Sequence, residues 1–282
     1  IPLRLVGSEM CIRDSSPTGL TISLIDSSRN TGWAIGDTYA NIQDVIGSNY
    51  NDVIYGNNDF INQLQGQEGD DQLYGVGSAY TVLIGGSGAD QLHAGTGGNL
   101  IDYETALQGV TASMANPALN TGDAAGDTYF GLFGHDLAGS PFDDVLYGDA
   151  GDNNIIGDPD INVYLRSGTD QLYGGAGNDT LDGGGGGDRL DGEEGFDAAA
   201  YTSAQAGLHV YLLNPAANTG DAQGDTFFNI EAVIGSAFAD TIGGDKANNS
   251  LFGEAGNDVL HGEGGDDLLV GGAGSDLSLI HI

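Results

Sequence analysis

The chain has 282 residues, of which 41 are acidic, 6 are Lys or Arg and 50 are glycine, and its formal net charge is −35. That balance makes nucleic acid and anionic membrane surfaces poor partners, because both are bound through basic patches, and no apolar run approaches the ~18–20 residues of a membrane span. The hydrophobic fraction of 39% is too high for a solvated acidic tail, so the composition points to a fold completed by cations.

In chain order, residues 1–15 come first and look foreign to the rest. Ser8 to Asp14 reads SEMCIRD, and the last six residues, Leu277 to Ile282, read LSLIHI. The two stretches resemble translations of a sequencing adapter and of its complement, and they sit at opposite ends. Both are set aside as processing scars. Cys11, the only cysteine, and His281 go with them, while loss of Arg4, Glu9, Arg13 and Asp14 leaves the net charge unchanged. On this reading the chain is cut at both ends, and the lack of a leader carries no information.

Between the ends two periods are nested. The longer is about 90–98 residues. GLTISLIDSSRNTGWAIGDT opens at Gly19, GVTASMANPALNTGDAAGDT at Gly109 and GLHVYLLNPAANTGDAQGDT at Gly207, so Asp37, Asp127 and Asp225 each lie 18 residues after the opening glycine. The chain therefore reads as modules 16–103, 104–201 and 202–276, the last truncated.

The shorter period is nine residues. After the first opening strand and loop, a loose ladder runs Asp52, Asn62, Asp71, Thr81, Asp90, Asn99. The second module carries Asp144, Asn153 and Asn162, then GGAGNDTLD from Gly174, GGGGGDRLD from Gly183 and GEEGFDAAA from Gly192, with Asp170, Asp179, Asp188 and Asp197 nine apart. The third carries Asp240, Asn249, Asp258, Asp267 and Asp276, within GEAGNDVLH from Gly253 and GEGGDDLLV from Gly262. An aliphatic follows the polar position by two residues, as at Leu73, Leu92, Leu146, Leu172, Leu181, Leu190, Leu251, Leu260 and Leu269.

Each unit divides into a glycine turn and a three-residue strand with one inward side chain. Two units make one coil of 18 residues, so same-side turns stack at about 4.8 Å and Asp170 lies near Asp188, Asp179 near Asp197, and Asp240 near Asp258. Two carboxylates ~4 Å apart repel by roughly 4 kcal/mol at an effective dielectric near 20. A divalent ion between turns would convert that repulsion into cohesion. The donors are carboxylates and backbone carbonyls, with no Cys or His on the ladder, a set that suits calcium better than zinc or magnesium.

These units resemble the RTX, or haemolysin-type, calcium-binding nonapeptide G-G-x-G-x-D-x-aliphatic-x, a repeat already recognised as a calcium β-helix signature. The resemblance implies an all-β fold, a parallel β-roll or β-solenoid in about two and a half tandem modules. It implies metal ligation by Asp71, Asp90, Asp170, Asp179, Asp188, Asp197, Asp258, Asp267 and Asp276, joined by carbonyls of Gly66, Gly85, Gly174, Gly183, Gly192, Gly253 and Gly262. It also implies several Ca2+ ions, type I export from a Gram-negative bacterium and an extracellular location. Some units depart from the pattern. Asn62, Asn99, Asn153, Asn162 and Asn249 carry no charge and are read as metal-free coils, and Thr81 is weaker still. Asp52, Asp144 and Asp240 keep the acid, but Tyr50, Phe142 and Phe238 replace the glycine before it, so these three are read as rungs that start each roll.

Asp123, Asp127, Asp221 and Asp225 in the loops are read as turn caps, with a further calcium site as the alternative; Trp33 stands where Asp123 and Asp221 do. Tyr103 and Tyr201 are expected to cover the last coil of their rolls. No H-E-x-x-H or G-x-S-x-G occurs, and His93, His135, His209 and His261 are scattered, so no enzyme is expected within this segment. The reading is a calcium-folded, adhesin-like or structural scaffold of a large exported protein. The rival is the calcium-dependent tail of a secreted protease, lipase or polysaccharide-modifying enzyme. A flat face that binds ice or carbohydrate has weaker support, because the outward positions look mixed. No surface or carbohydrate ligand is named by the sequence.

Overall fold

Each unit supplies one inward side chain, so its strand is short and its core is a single column. In the computed structural model, which describes residues 4–6, 11–13, 16–58, 61–131, 135–159 and 168–279, most strands are three residues long with the middle residue buried. Asn162 of the proposed ladder lies outside the described residues, as do most of the two foreign-looking ends. The secondary structure is nearly all β; among the described residues the only helical pieces are three-residue 3-10 turns in the module-opening loops. The chain forms two units, residues 1–138 and 139–282.

In the first unit one parallel sheet runs Thr21–Ser23, Val53–Tyr55, Gln72–Tyr74, Gln91–His93 and Thr128–Phe130. A second runs Cys11–Arg13, Asp44–Ile46, Asn62–Glu68, Thr81–Ser87, Asn99–Asp102 and Asp136–Ala138. Successive strands of the chain alternate between the two sheets, which is the coil expected of paired units. In register, Ile54, Leu73 and Leu92 stack on one wall, and Val45, Leu64, Leu83, Ile101 and Leu137 on the other, all fully buried.

The second unit repeats the plan. Val145–Tyr147, Gln171–Gly177, Arg189–Gly195 and Thr226–Phe228 form one parallel sheet, and His209–Tyr211, Thr241–Gly243, Val259–His261 and Leu277–Leu279 another. Opposite them run Asn154–Ile156, Thr180–Asp182, Ala198–Ala200, Ala232–Ile234, Ser250–Phe252 and Leu268–Val270. Leu146, Leu172, Leu181, Leu190, Leu251 and Leu260 are buried, and Leu269 only partly so. Each buried aliphatic contributes about 1.5–3 kcal/mol, a thin core for a chain of this charge. Two segments set aside as foreign, Cys11–Arg13 and Leu277–Leu279, nonetheless pair with Asp44–Ile46 and Val259–His261. An open sheet edge offers unpaired N–H and C=O groups to whatever chain adjoins it.

The outward positions are more ordered than expected. Tyr55, Tyr74, His93 and Phe130 stack face to face at 4.3–4.5 Å, with Arg29 4.8 Å over Tyr55. Tyr147 and Tyr173 stack at 4.6 Å, and Arg189 lies 3.8 Å over Phe228. The ring faces are occupied by one another, which adds cohesion along the stack and leaves ring edges to solvent.

Candidate metal centre

The turn aspartates form hydrogen-bonded ladders. Oδ1 of each acid accepts the backbone N–H of the rung one coil earlier. Asp71 takes Asp52 N–H at 2.7 Å, Asp90 takes Asp71 at 2.8 Å, Asp170 takes Asp144 at 2.8 Å and Asp188 takes Asp170 at 2.9 Å. On the other side Asp179 takes Asn153 at 2.7 Å and Asp197 takes Asp179 at 2.8 Å. Asp258, Asp267 and Asp276 accept from Asp240, Asn249 and Asp258 at 2.9, 3.0 and 3.1 Å.

The other oxygen is different. Oδ2 of Asp71, Asp90, Asp170, Asp179, Asp188, Asp197, Asp258 and Asp267 is buried and has no hydrogen-bond partner among the described residues. These are eight of the nine acids assigned from the repeat; the ninth, Asp276, is exposed. A buried carboxylate oxygen without a donor costs several kcal/mol unless something positive reaches it.

Glycine makes room for that oxygen. At Gly66, Gly85, Gly174, Gly183, Gly192, Gly253 and Gly262 a β-carbon would collide with Oδ2 of Asp71, Asp90, Asp179, Asp188, Asp197, Asp258 and Asp267 respectively. The carbonyl oxygen of the glycine one coil on lies in the same crevice: Gly85 at 2.6 Å from the β-position of Gly66, and Gly192 at 2.7 Å from that of Gly174. Carbonyls of Gly66, Gly174, Gly183, Gly253 and Gly262 lie the same way against Gly47, Gly148, Gly157, Gly235 and Gly244. At Gly66, Gly157, Gly174 and Gly253 the crevice thus joins an orphaned carboxylate oxygen of one turn to a glycine carbonyl of the next, whereas at Gly148 and Gly244 the side-chain oxygen is the amide oxygen of Asn153 and Asn249. Among the described residues no three His, Cys, Asp or Glu side chains converge as a cage. A cation here draws on backbone carbonyls, and that hard, all-oxygen, flexible donor set fits calcium.

Burial dominates the electrostatics. It pushes the Asp170 carboxyl up to about 9, with the neighbouring charges of Asp188 and Asp144 adding to it. Asp71 is pushed up to about 8 in the same way, and Asp90 and Asp197 to about 6. Asp179, Asp188 and Asp258 are raised, again mainly by burial. The cost expected from stacked charges is therefore chiefly a desolvation cost, because each Oδ1 already faces an N–H.

The departures from the repeat are closed by their own turns. Asn153 and Asn249 accept the N–H of Asp149 at 2.8 Å and of Asp245 at 2.7 Å. Asn62 pairs with the backbone of Asn57, and Asn99 with that of Gly95 and Gly97. The Thr81 hydroxyl is buried without a partner among the described residues.

Three residues extend the ladders beyond the nonapeptides. Asp127 accepts Asp90 N–H at 2.8 Å, Asp225 accepts Asp188 N–H at 2.9 Å, and Glu231 Oε2 accepts Asp197 N–H at 3.0 Å. Asp127 and Asp225, read from sequence as turn caps with a further calcium site as the alternative, carry the ladder on after a jump of 37 residues in each case. Glu231 sits in no repeat unit, so no spacing announced it. The Asp127 and Asp225 Oδ2 atoms are not orphaned: the buried hydroxyls of Tyr103 and Tyr201 donate to them at 2.8 and 2.6 Å. Asp123 and Asp221 lie apart, in the 3-10 turns Gly122–Ala124 and Gly220–Ala222.

Sequence comparison matches the RTX calcium-binding nonapeptide repeat (4 copies) over residues 42–62, 57–77, 82–103, 136–164, 166–198 and 243–277, more than half of the chain. The chain belongs to the RTX family. No curated protein matches it. RTX repeats are calcium-binding, generally non-catalytic regions typical of proteins secreted by Gram-negative bacteria. The matched stretches hold the RTX rungs with orphaned oxygens, whereas Asp127, Asp225 and Glu231 fall outside them. No helix among the described residues is long and apolar enough to cross a membrane.

Proposed function

We propose that this chain is a calcium-completed scaffold within a large exported protein, and that the orphaned carboxylate oxygens are its metal ligands. Asp71, Asp90, Asp170, Asp179, Asp188, Asp197, Asp258, Asp267 and Asp276 hold the ions together with carbonyls of Gly66, Gly85, Gly174, Gly183, Gly192, Gly253 and Gly262. One observation carries the reading: eight buried acid oxygens that no donor among the described residues reaches. A bound ion supplies the missing positive charge and links one turn to the next, so that ion binding becomes folding free energy.

The same energetics fits export by a type I route. At low cytosolic calcium the acids repel and the chain stays open, and outside the cell, sites with Kd of about 10⁻⁴–10⁻³ M fill. The folded stack then acts as a rigid, adhesin-like spacer. Stacked rings that present their edges favour this over a carbohydrate-binding flat face.

Calorimetric titration of the purified chain tests the proposal. Calcium should bind at several sites per chain with midpoints between about 10⁻⁴ and 10⁻³ M, and magnesium at matched concentration should give no saturable heat. Equal binding of the two ions, or none of either, would count against it.

A further inference from the structure

The turns come in two backbone states. In the first, the residue four before the acid is left-handed. Gln67 before Asp71 has φ +88°, Gly175 before Asp179 +108°, Glu193 before Asp197 +68°, Glu254 before Asp258 +68° and Glu263 before Asp267 +66°. In each of these turns the acid Oδ2 has no partner among the described residues. In the second state that residue has negative φ, and its N–H points at the side-chain oxygen. Ser48 donates to Asp52 and Ser140 to Asp144, each at 2.5 Å, and Ser236 donates to Asp240 at 2.6 Å. The asparagine rungs 153 and 249 are closed identically by Asp149 and Asp245.

The open state is the strained one. Left-handed backbone is disfavoured for a non-glycine residue by the clash of its β-carbon with the following carbonyl oxygen, and Gln67, Glu193, Glu254 and Glu263 all bear it. Closing the turn would relieve the strain and satisfy the carboxylate at once. Four non-glycine residues held in the unfavourable region, each beside an orphaned acid oxygen, imply that something else compensates there. At Asp240 the rest of the crevice is already built, since the Gly253 carbonyl lies 3.1 Å and Asp240 Oδ2 2.7 Å from the β-position of Gly235. What differs is Oδ2, which takes the Ser236 N–H and hydroxyl, while Oδ1 also accepts the Leu208 N–H at 2.9 Å.

We propose that the residue four before the acid is the switch that decides which rungs take calcium. Left-handed, it leaves the acid oxygen to the ion; with negative φ, its N–H takes the ion's place. Asp52, Asp144 and Asp240 therefore begin each roll metal-free although each is an acid in ladder register. This rests on the reading of the orphaned oxygens as calcium ligands.

The test counts bound calcium per full chain by equilibrium dialysis, with circular dichroism of each calcium-saturated variant as the folding control. D240N should bind as many ions as the parent, because asparagine at 153 and 249 already accepts the same N–H. D258N should bind at least one fewer. The double variant S236G/F238G, which restores glycine at both turn positions, should gain one. Loss of an ion in D240N, or no gain in S236G/F238G, overturns the switch. An undiminished count in D258N would instead remove the ligand reading beneath it.

Discussion

Asp170 is fully buried, with Asp144 N–H on one oxygen and, among the described residues, no donor on the other. Burial raises it to about 9, Asp71 to about 8 and Asp90 and Asp197 to about 6. An acid whose folded value lies above its unfolded value of about 3.9 binds its proton more tightly when folded. Its contribution to the calcium-free compact state is full below that unfolded value and is lost as pH rises through 6 to 9. In chelator, the β-sheet signal should therefore grow as pH is lowered from 9 to 5. With calcium present the order reverses, because the ion must displace those protons. The calcium midpoint measured at pH 5.5 should lie above that at pH 8, and a midpoint indifferent to pH would mean that the buried carboxyls are not the groups being titrated.

At the scale of the element, each ladder that runs into a Gly-Asp-Thr loop ends on a tyrosine. Tyr201 donates to Asp225 and Tyr103 to Asp127, so Oδ2 of the last acid is held by a hydroxyl, where that of the inner ones has no donor among the described residues. Y201F leaves that oxygen buried and unpaired, which costs about 1–3 kcal/mol. Thermal unfolding in saturating calcium should show that loss with the calcium count unchanged, whereas Y50F, at a half-exposed ring, should be close to neutral. The nine-residue spacing made the coil legible: two units per turn put Asp170 in register with Asp188 and Leu172 with Leu190. It also placed the seven glycines, since each is the only residue that fits against its acid. What spacing could not convey is backbone state. Glu193, Glu254 and Glu263 are left-handed without being glycine, and Ser48, Ser140 and Ser236 close rungs that still carry an acid. The ring stack did leave a signal, since Tyr55, Tyr74 and His93 are spaced by 19, but it becomes visible only when the outward positions are read coil by coil.

Over the whole molecule, a net charge of −35 is set against cores one side chain wide. Such columns of leucine and isoleucine do not compensate for bringing the acids out of water and into register, so compaction has to be coupled to neutralisation of the rungs. The direct measurement is sedimentation velocity with far-UV circular dichroism on the same sample at pH 8, first in excess chelator and then after calcium is restored. The account predicts an expanded, largely unstructured chain in chelator and a compact β-sheet chain in calcium. A chain equally compact and equally β-structured in both would contradict it.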